Sequence, residues 1–223
     1  MGKHGGVLRL VVSLTLLICR FGFEPSLSAT EPGSPCAIAL GATGTRAYVA
    51  CAEGNRVVTM DLENGRIRFT FQSLPSPSGL ALSTNGSHLW VVYGGPSSFV
   101  SCLEVGTGKE TWRIPVGHSA MAPVASKDQK RLYVCNRFNN DVSVIDLTQG
   151  RELQRIEVAR EPVVLDDLDR GAANPWGIVW TSQGDRILLA HAGTHEVSVI
   201  DAPPAAGSAA TPSASFHAAD HGQ

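Results

Sequence analysis

RLYVCNRFNNDVSVIDLTQGRELQRIEVAREP, running from Arg131 to Pro162, is the stretch whose reading decides the fold. Three short runs within it, LYVCN, VSVIDL and LQRIEV, alternate apolar and polar residues, the period-2 pattern of strands with one buried face. Asn, Asp and Thr-Gln-Gly between them are turn formers. Working outward, the same wording returns on both sides. Tyr48 in RAYVA, Trp90 in HLWVVY, Tyr133 in RLYVCN and Leu188 in RILLAH hold one position, at spacings of 42, 43 and 55 residues. Asp61, Glu104, Asp146 and Asp201 close the VSVID-like runs at spacings of 43, 42 and 55. Two independent markers agree on the period, so the chain is a repeat array.

Each unit opens with a small-residue run (CAIAL, GLALS, PVAS, GIVWT), turns through TGT, TNG, KDQ or SQG, and enters the Tyr or Trp run. A polar loop leads to the VSVID-like run, and an NG, TG or QG turn leads to a fourth run such as RFTFQSL or ETWRIPV. Tight hairpins need positive φ, which Gly adopts at no steric cost. Four antiparallel strands in about 42 residues describe a propeller blade. The expected fold is therefore all-β: β-propeller repeats forming about four four-stranded blades, the last one incomplete. The blades fall at about 35–77, 78–120, 121–162 and 176–201, with an insertion at 163–175. Behind Asp201 the Pro-, Ala- and Ser-rich segment 202–223 shows no strand pattern and reads as a disordered tail. An unclosed array leaves a blade face and a strand edge in water. A longer parent protein, a half-ring completed by a second copy, and a compact four-bladed ring are all compatible with this count.

The 223 residues carry a formal charge of −2 with charged residues scattered singly, which excludes a nucleic-acid footprint or a basic membrane surface. At the amino terminus Lys3 and Arg9 flank the apolar run Leu10–Cys19, short for a bilayer span but suited to a secretory signal, with small residues at Ser26, Ser28 and Ala29. Residues 1–29 are thus expected to be a signal peptide. The mature chain would have no transmembrane span and would lie in the periplasm, at the cell surface or outside the cell. Cys36, Cys51, Cys102 and Cys135 would then meet an oxidising space. They read as buried small hydrophobes, with Cys36 and Cys51 on neighbouring strands as the pair to test for a disulfide.

LYVCNRFNNDVSVIDLTQGRELQRIEV resembles the YVTN-type β-propeller repeat, and RAYVACAEGNRVVTMDLENG is a second such copy. The resemblance covers nearly all of Cys36 to Asp201. It implies a secreted or cell-surface propeller, and the run from Arg170 to Pro203 looks like members linked to cytochrome c or peroxidase-like domains. No CxxCH haem motif is present in the chain. No cofactor is predicted from the residues, and metal or haem follows only from the resemblance.

If the strands run up and down in order, the loops between second and third strands share one end with the links between blades. That end gathers the longer loops, where a scaffold usually carries its function. The candidate ligand-binding residues there are His118 in VGHSAMAP, Arg137 in NRFNND, Asp166, Asp167, Asp169, Asn174 and Trp176 in the insertion, and His191 and His195 in HAGTHE. Each has a plainer reading: the aspartates as a solvated loop, the histidines as hydrogen-bonding loop residues, Trp176 as packing at a blade junction. The DxDxDG calcium order is missing, and no GxSxG, HExxH or dinucleotide glycine signature occurs. The residues favour an exported binding or scaffold protein for a protein, glycan or small ligand, with self-association as a way to complete the ring. An exported redox or lactonase-like enzyme, or part of one, is the alternative, and no catalytic residue is assigned.

Overall fold

The structure, a computed structural model, describes residues 33–72, 75–158 and 173–201 and the backbone of 211–217. Of the two units into which the chain divides, Met1–Thr30 and Glu31–Gln223, the described residues all belong to the second. The expected signal peptide and Asp166, Asp167 and Asp169 lie outside the described residues. Among those described, no helix is long and apolar enough to cross a membrane.

The alternating runs form strands where the pattern places them. Blade 1 contains β1 (Pro35–Leu40), β2 (Arg46–Cys51), β3 (Arg56–Asp61) and β4 (Ile67–Gln72); blade 2 contains β5 (Pro77–Leu82), β6 (His88–Tyr93), β7 (Phe99–Glu104) and β8 (Glu110–Pro115). Blade 3 contains β9 (Ala120–Ala125), β10 (Arg131–Asn136), β11 (Asp141–Asp146) and β12 (Arg151–Glu157); blade 4 contains β13 (Pro175–Trp180), β14 (Arg186–His191), β15 (Glu196–Asp201) and β16 (Thr211–His217). Each blade is an antiparallel meander in simple chain order. The turns at one end are tight. Gly44, Gly86 and Gly184 between first and second strands, and Gly65, Gly108 and Gly150 between third and fourth, all take positive φ. In blade 3 Gln129 adopts that conformation in place of Gly, with φ 58°.

One expectation is corrected here. The fourth blade does not stop at its third strand: Thr211–His217, inside the segment read as a tail, pairs antiparallel with β15 from Glu196↔His217 to Asp201↔Thr211. A third strand left at the edge of a sheet exposes a row of unpaired N–H and C=O groups, and the TPSASFH backbone satisfies them.

Two ladder faults recur in every blade. The first strand slips against the second between Pro35 and Ala37, Pro77 and Gly79, and Pro175 and Gly177, and opposite Tyr133 to Cys135 in blade 3. The third slips against the fourth between Thr59 and Met60, Cys102 and Leu103, Val144 and Ile145, and Val199 and Ile200. Such bulges bend a strand and increase its local twist.

The core lies between blades, in three layers. Tyr48, Ala50, Val57 and Phe71 of blade 1 pack on Leu80, Leu89, Val91 and Leu103 of blade 2. Trp90, Val92, Val100 and Cys102 of blade 2 meet Leu132, Val134 and Ile145 of blade 3. Tyr133, Cys135, Val142 and Val144 of blade 3 meet Ile187, Leu189 and Ile200 of blade 4. A sheet with two apolar faces must cover both, and each inner blade does so with its two neighbours. The first strands β1, β5, β9 and β13 follow one another along the inner side. Among the described residues blade 4 makes no comparable packing against blade 1, so the array is an open arc rather than a compact four-bladed ring.

Candidate functional site

The site is built from two loops and one strand start at the loop-rich end. The loop between β10 and β11 begins with Arg137 and ends with Asn140, whose φ of 57° suits Asn because a short polar side chain tolerates the left-handed region. The opening residue of each blade shares that conformation: Ser34, Ser76, Ser119 and Asn174 have φ of 35°, 61°, 54° and 50°. These two left-handed positions meet across the blade 3–blade 4 junction, where Asn174 donates its backbone N–H to Asn140 Oδ1 at 2.9 Å. Asn174 in turn accepts a hydrogen bond from Arg137 Nε at 2.9 Å.

So anchored, the Arg137 guanidinium lies 4.0 Å from the Trp176 ring centroid and 5.3 Å from that of Phe138. Both rings are exposed. His118 extends the cluster from the blade 2–blade 3 link: its ring packs edge-on to Phe138 at 5.1 Å, its Nδ1 lies 2.9 Å from Ser119 Oγ, and its backbone N–H donates to Asn139 Oδ1. A guanidinium over an aromatic face gains about 0.5–1 kcal/mol at an exposed site and is held in one orientation. Among the described residues Arg137 makes no ion pair with a carboxylate. Chemically, this surface offers a planar, pre-oriented cation rimmed by two apolar rings.

The floor beneath the loop is polar and tightly packed. Asn136, at the end of β10, donates from Nδ2 to Ser143 Oγ at 2.8 Å and to the Asp141 carboxylate. Burial pushes the Asp141 carboxyl above the usual carboxylate range, opposed by the Asn136 hydrogen bond and by Arg155 at 4.0 Å. Gly117 lies so close to Asn136 that a Cβ there would come within 2.4 Å of its Cγ, which fixes the course of the His118 link.

The structure thus brings together four of the sequence-derived candidates, His118, Arg137, Asn174 and Trp176, and adds Phe138, Asn139 and Asn140. It does not bring His191 and His195 into the cluster. His191 is the last residue of β14 and is buried; its Nε2 lies 2.8 Å from Ser198 Oγ, repeating in blade 4 the Asn136–Ser143 tie of blade 3. Among the described residues its Nδ1 has no hydrogen-bond partner, and burial holds its pKa below the ordinary 6.5. His195, with φ 57°, occupies the left-handed turn position that Asn55 and Asn140 hold in blades 1 and 3. Among the described residues no three His, Cys, Asp or Glu side chains gather in a way that could hold a metal ion.

Cys36 and Cys51 are free thiols rather than a disulfide. The bulge sets Pro35, not Cys36, opposite Cys51, and Cys36 Sγ donates to Pro77 O of the next blade at 2.9 Å. Cys102 and Cys135 are buried and free, and burial pushes the Cys135 thiol up to about 12.

Comparison with known proteins agrees with this architecture. Residues 29–180 match the family described as outer membrane protein assembly factor BamB, and the chain belongs to that family. What this shares with the YVTN resemblance is the propeller-type repeat. No curated protein matches the chain. Among solved structures, the chain is similar to Kuenenia stuttgartiensis hydrazine synthase, with TM-score 0.69 and 18% identity over 84% of this chain and 51% of that one. It is also similar to a functionally unknown protein from Desulfotomaculum acetoxidans, with TM-score 0.64 and 13% identity over 81% of this chain and 55% of that one. At such identities the likeness shows the fold alone. The chain spans about half the length of these solved chains.

Proposed function

We propose that this member of the BamB family is an exported β-propeller scaffold, acting in the periplasm or at the outer membrane, that holds a partner protein on its loop-rich end through Arg137. The observation that carries this reading is the Arg137 guanidinium itself, half-buried, stacked on Trp176 and tied to Asn174 between two exposed rings. Arg and Trp are the residue types that most often dominate binding energy at protein interfaces, and a fixed guanidinium fork matches a carboxylate with two parallel hydrogen bonds. The ligand class that fits is an extended protein segment carrying Asp or Glu beside an apolar residue, the carboxylate on Arg137 and the apolar group against Phe138 or Trp176. The family description, an assembly factor for outer membrane proteins, supports a protein as the partner. The YVTN-like wording of the second and third strands supports the same reading, since the proteins it resembles are exported propellers.

Fluorescence anisotropy tests this with two labelled peptides, one copying an acidic strand of an outer membrane barrel protein and one with its Asp and Glu changed to Asn and Gln. The acidic peptide should bind the full chain more tightly, and Arg137→Ala should weaken that binding at least about tenfold, the equivalent of about 1.4 kcal/mol. Equal affinity for both peptides, or no effect of Arg137→Ala, would overturn the proposal.

A further inference from the structure

Each junction between neighbouring blades is tied by one device. The residue before a third strand accepts, on its side-chain oxygen, a backbone N–H at the opening of the next blade. Asn55 Oδ1 accepts from Ser76 N at 3.2 Å, Ser98 Oγ from Ala120 N at 3.1 Å, and Asn140 Oδ1 from Asn174 N at 2.9 Å. The tie satisfies a backbone donor that lies outside any strand ladder or at its end. Blades 1, 2 and 3 open on Ser34, Ser76 and Ser119, all with positive φ, whereas blade 4 opens on Asn174. The longer side chain carries an amide oxygen beyond the backbone tie, and Arg137 Nε donates to it at 2.9 Å.

The tie at the third junction is held from several sides. Asn140 O accepts from Val158 N at 3.0 Å just past β12, and Asn174 O accepts from Ala192 N at 3.1 Å in the turn after β14. Asn174 Oδ1 is therefore a fixed point set by the backbones of two blades. Arg Nε is a donor with no acceptor capacity, so it meets Asn174 only on the amide oxygen. With Nε taken by Asn174 and the guanidinium 4.0 Å from the Trp176 ring centroid, both its plane and its direction are defined. The edge left to a ligand is Nη1–Nη2, two parallel donors.

We infer that, given Arg137 as the ligand contact of the proposed function, Asn140 is the positioning residue of that site: acting through Asn174, it aims the guanidinium so that a ligand carboxylate is met end-on by Nη1 and Nη2. An aimed fork offers a carboxylate two hydrogen bonds at once, whereas a guanidinium free to turn must first lose that freedom. The preference for acidic ligands thus belongs to the blade 3–blade 4 joint as much as to the arginine. The apolar contacts with Phe138 and Trp176 do not require that aim, so a neutral ligand loses little when the aim is lost.

The test compares Asn140→Gly, which keeps the left-handed backbone and removes the acceptor, with Asn55→Gly, which does the same between blades 1 and 2. Asn174→Ser is the third variant; it copies the opening residue of the other blades, keeping the N–H tie and withdrawing the amide oxygen from Arg137. Two readouts are taken on the full chain. One is the ratio of affinities for the acidic and the neutral labelled peptide; the other is the protection of the Arg137 Nε–H from solvent exchange by nuclear magnetic resonance, assigned with Arg137→Lys. Loss of one charge-assisted hydrogen bond should make Asn140→Gly and Asn174→Ser each lower the ratio about tenfold, the neutral peptide's affinity staying within about twofold. Protection of the Nε–H should be lost in both, and Asn55→Gly should change neither readout. An unchanged ratio, an unchanged Nε–H, an equal fall in affinity for both peptides, or an equal effect of Asn55→Gly would overturn the positioning role. If the unsubstituted chain does not distinguish the two peptides, the proposed function falls by itself, and the Nε–H readout alone decides the positioning. Should Asn140→Gly lose its β-sheet circular dichroism, Asn140→Ala takes its place under the same outcomes, since Ala122 already adopts φ 47° in this chain.

Discussion

Blades 3 and 4 have the same strand plan and nearly the same wording, VSVID included, yet they do different work with equivalent residues. In blade 3 Tyr133, Cys135, Val142 and Val144 are sealed by the next blade, whereas their counterparts Leu188, Ala190, Val197 and Val199 in blade 4 are exposed or half-exposed. Asn136 at the end of its second strand makes two side-chain hydrogen bonds, to Asp141 and Ser143; His191 at the same position makes one, with Ser198, and among the described residues each side chain keeps one polar atom, Asn136 Oδ1 and His191 Nδ1, without a partner. The second residue of the first strand, which in blades 1 and 2 laces forward to the next blade, is Trp176 in blade 4, and its ring serves Arg137 instead. One repeat can therefore spend the same position on cohesion or on recognition, according to whether a neighbour covers it.

The largest expected effect breaks the comparison at its core. Tyr133→Ala should cost about 3–5 kcal/mol in urea unfolding, because a buried aromatic leaves a cavity in a layer shared by two blades. Leu188→Ala, at the same repeat position, should cost about 1 kcal/mol or less in the monomer, since its side chain is already partly in water. Equal losses would mean that the trailing face of blade 4 is covered in the folded monomer.

A smaller difference concerns the link that carries His118. Gly117→Ala should cost about 1–3 kcal/mol, because the added methyl must displace Asn136 and with it the polar floor of the site. Gly106→Ala, where nothing lies within 4 Å of the new Cβ, should change stability by less than about 0.5 kcal/mol. Thermal unfolding of the pair is the check.

The smallest effect sharpens the Asn136–His191 contrast through pH. Burial disfavours protonated His191 in the folded protein, so the unfolded chain binds the extra proton first. The stability that neutral His191 contributes should be present above the ordinary histidine pKa of about 6.5 and decline as pH falls below it. His191→Asn, which copies blade 3, should flatten that part of the stability–pH curve. An unchanged slope in the variant would show that another group titrates there.

The sixteen strands among the described residues are legible in the sequence to different degrees. The inner strands announce themselves because both faces of a central blade are apolar and the wording repeats, as in Leu132–Asn136 and Val142–Asp146. Thr211–His217 is not legible: its Pro, Ser and Ala content reads as linker, and what makes it a strand is the open edge of β15, a demand set by another part of the chain. In the site, Arg137 and Trp176 could be placed at one end from strand alternation, but their stacking depends on the junction geometry set by Asn140 and Asn174. Phe138 left a signal that was there to read, a large apolar residue in an otherwise polar loop where no core asks for one. The spacing of the two histidines does not distinguish their places, whereas the repeat does: set beside Asn136 and Asn140, His191 is a strand-end tie and His195 a left-handed turn residue.

The paired bulges have a consequence for how such a molecule can change in length. They fall at matching places in all four blades, between first and second strands and between third and fourth, so the bend belongs to the unit and not to the joint. A gene that duplicates or drops one whole unit alters how far the arc extends while preserving its curvature. A change within a unit that removes a bulge straightens one blade and misaligns every blade beyond it.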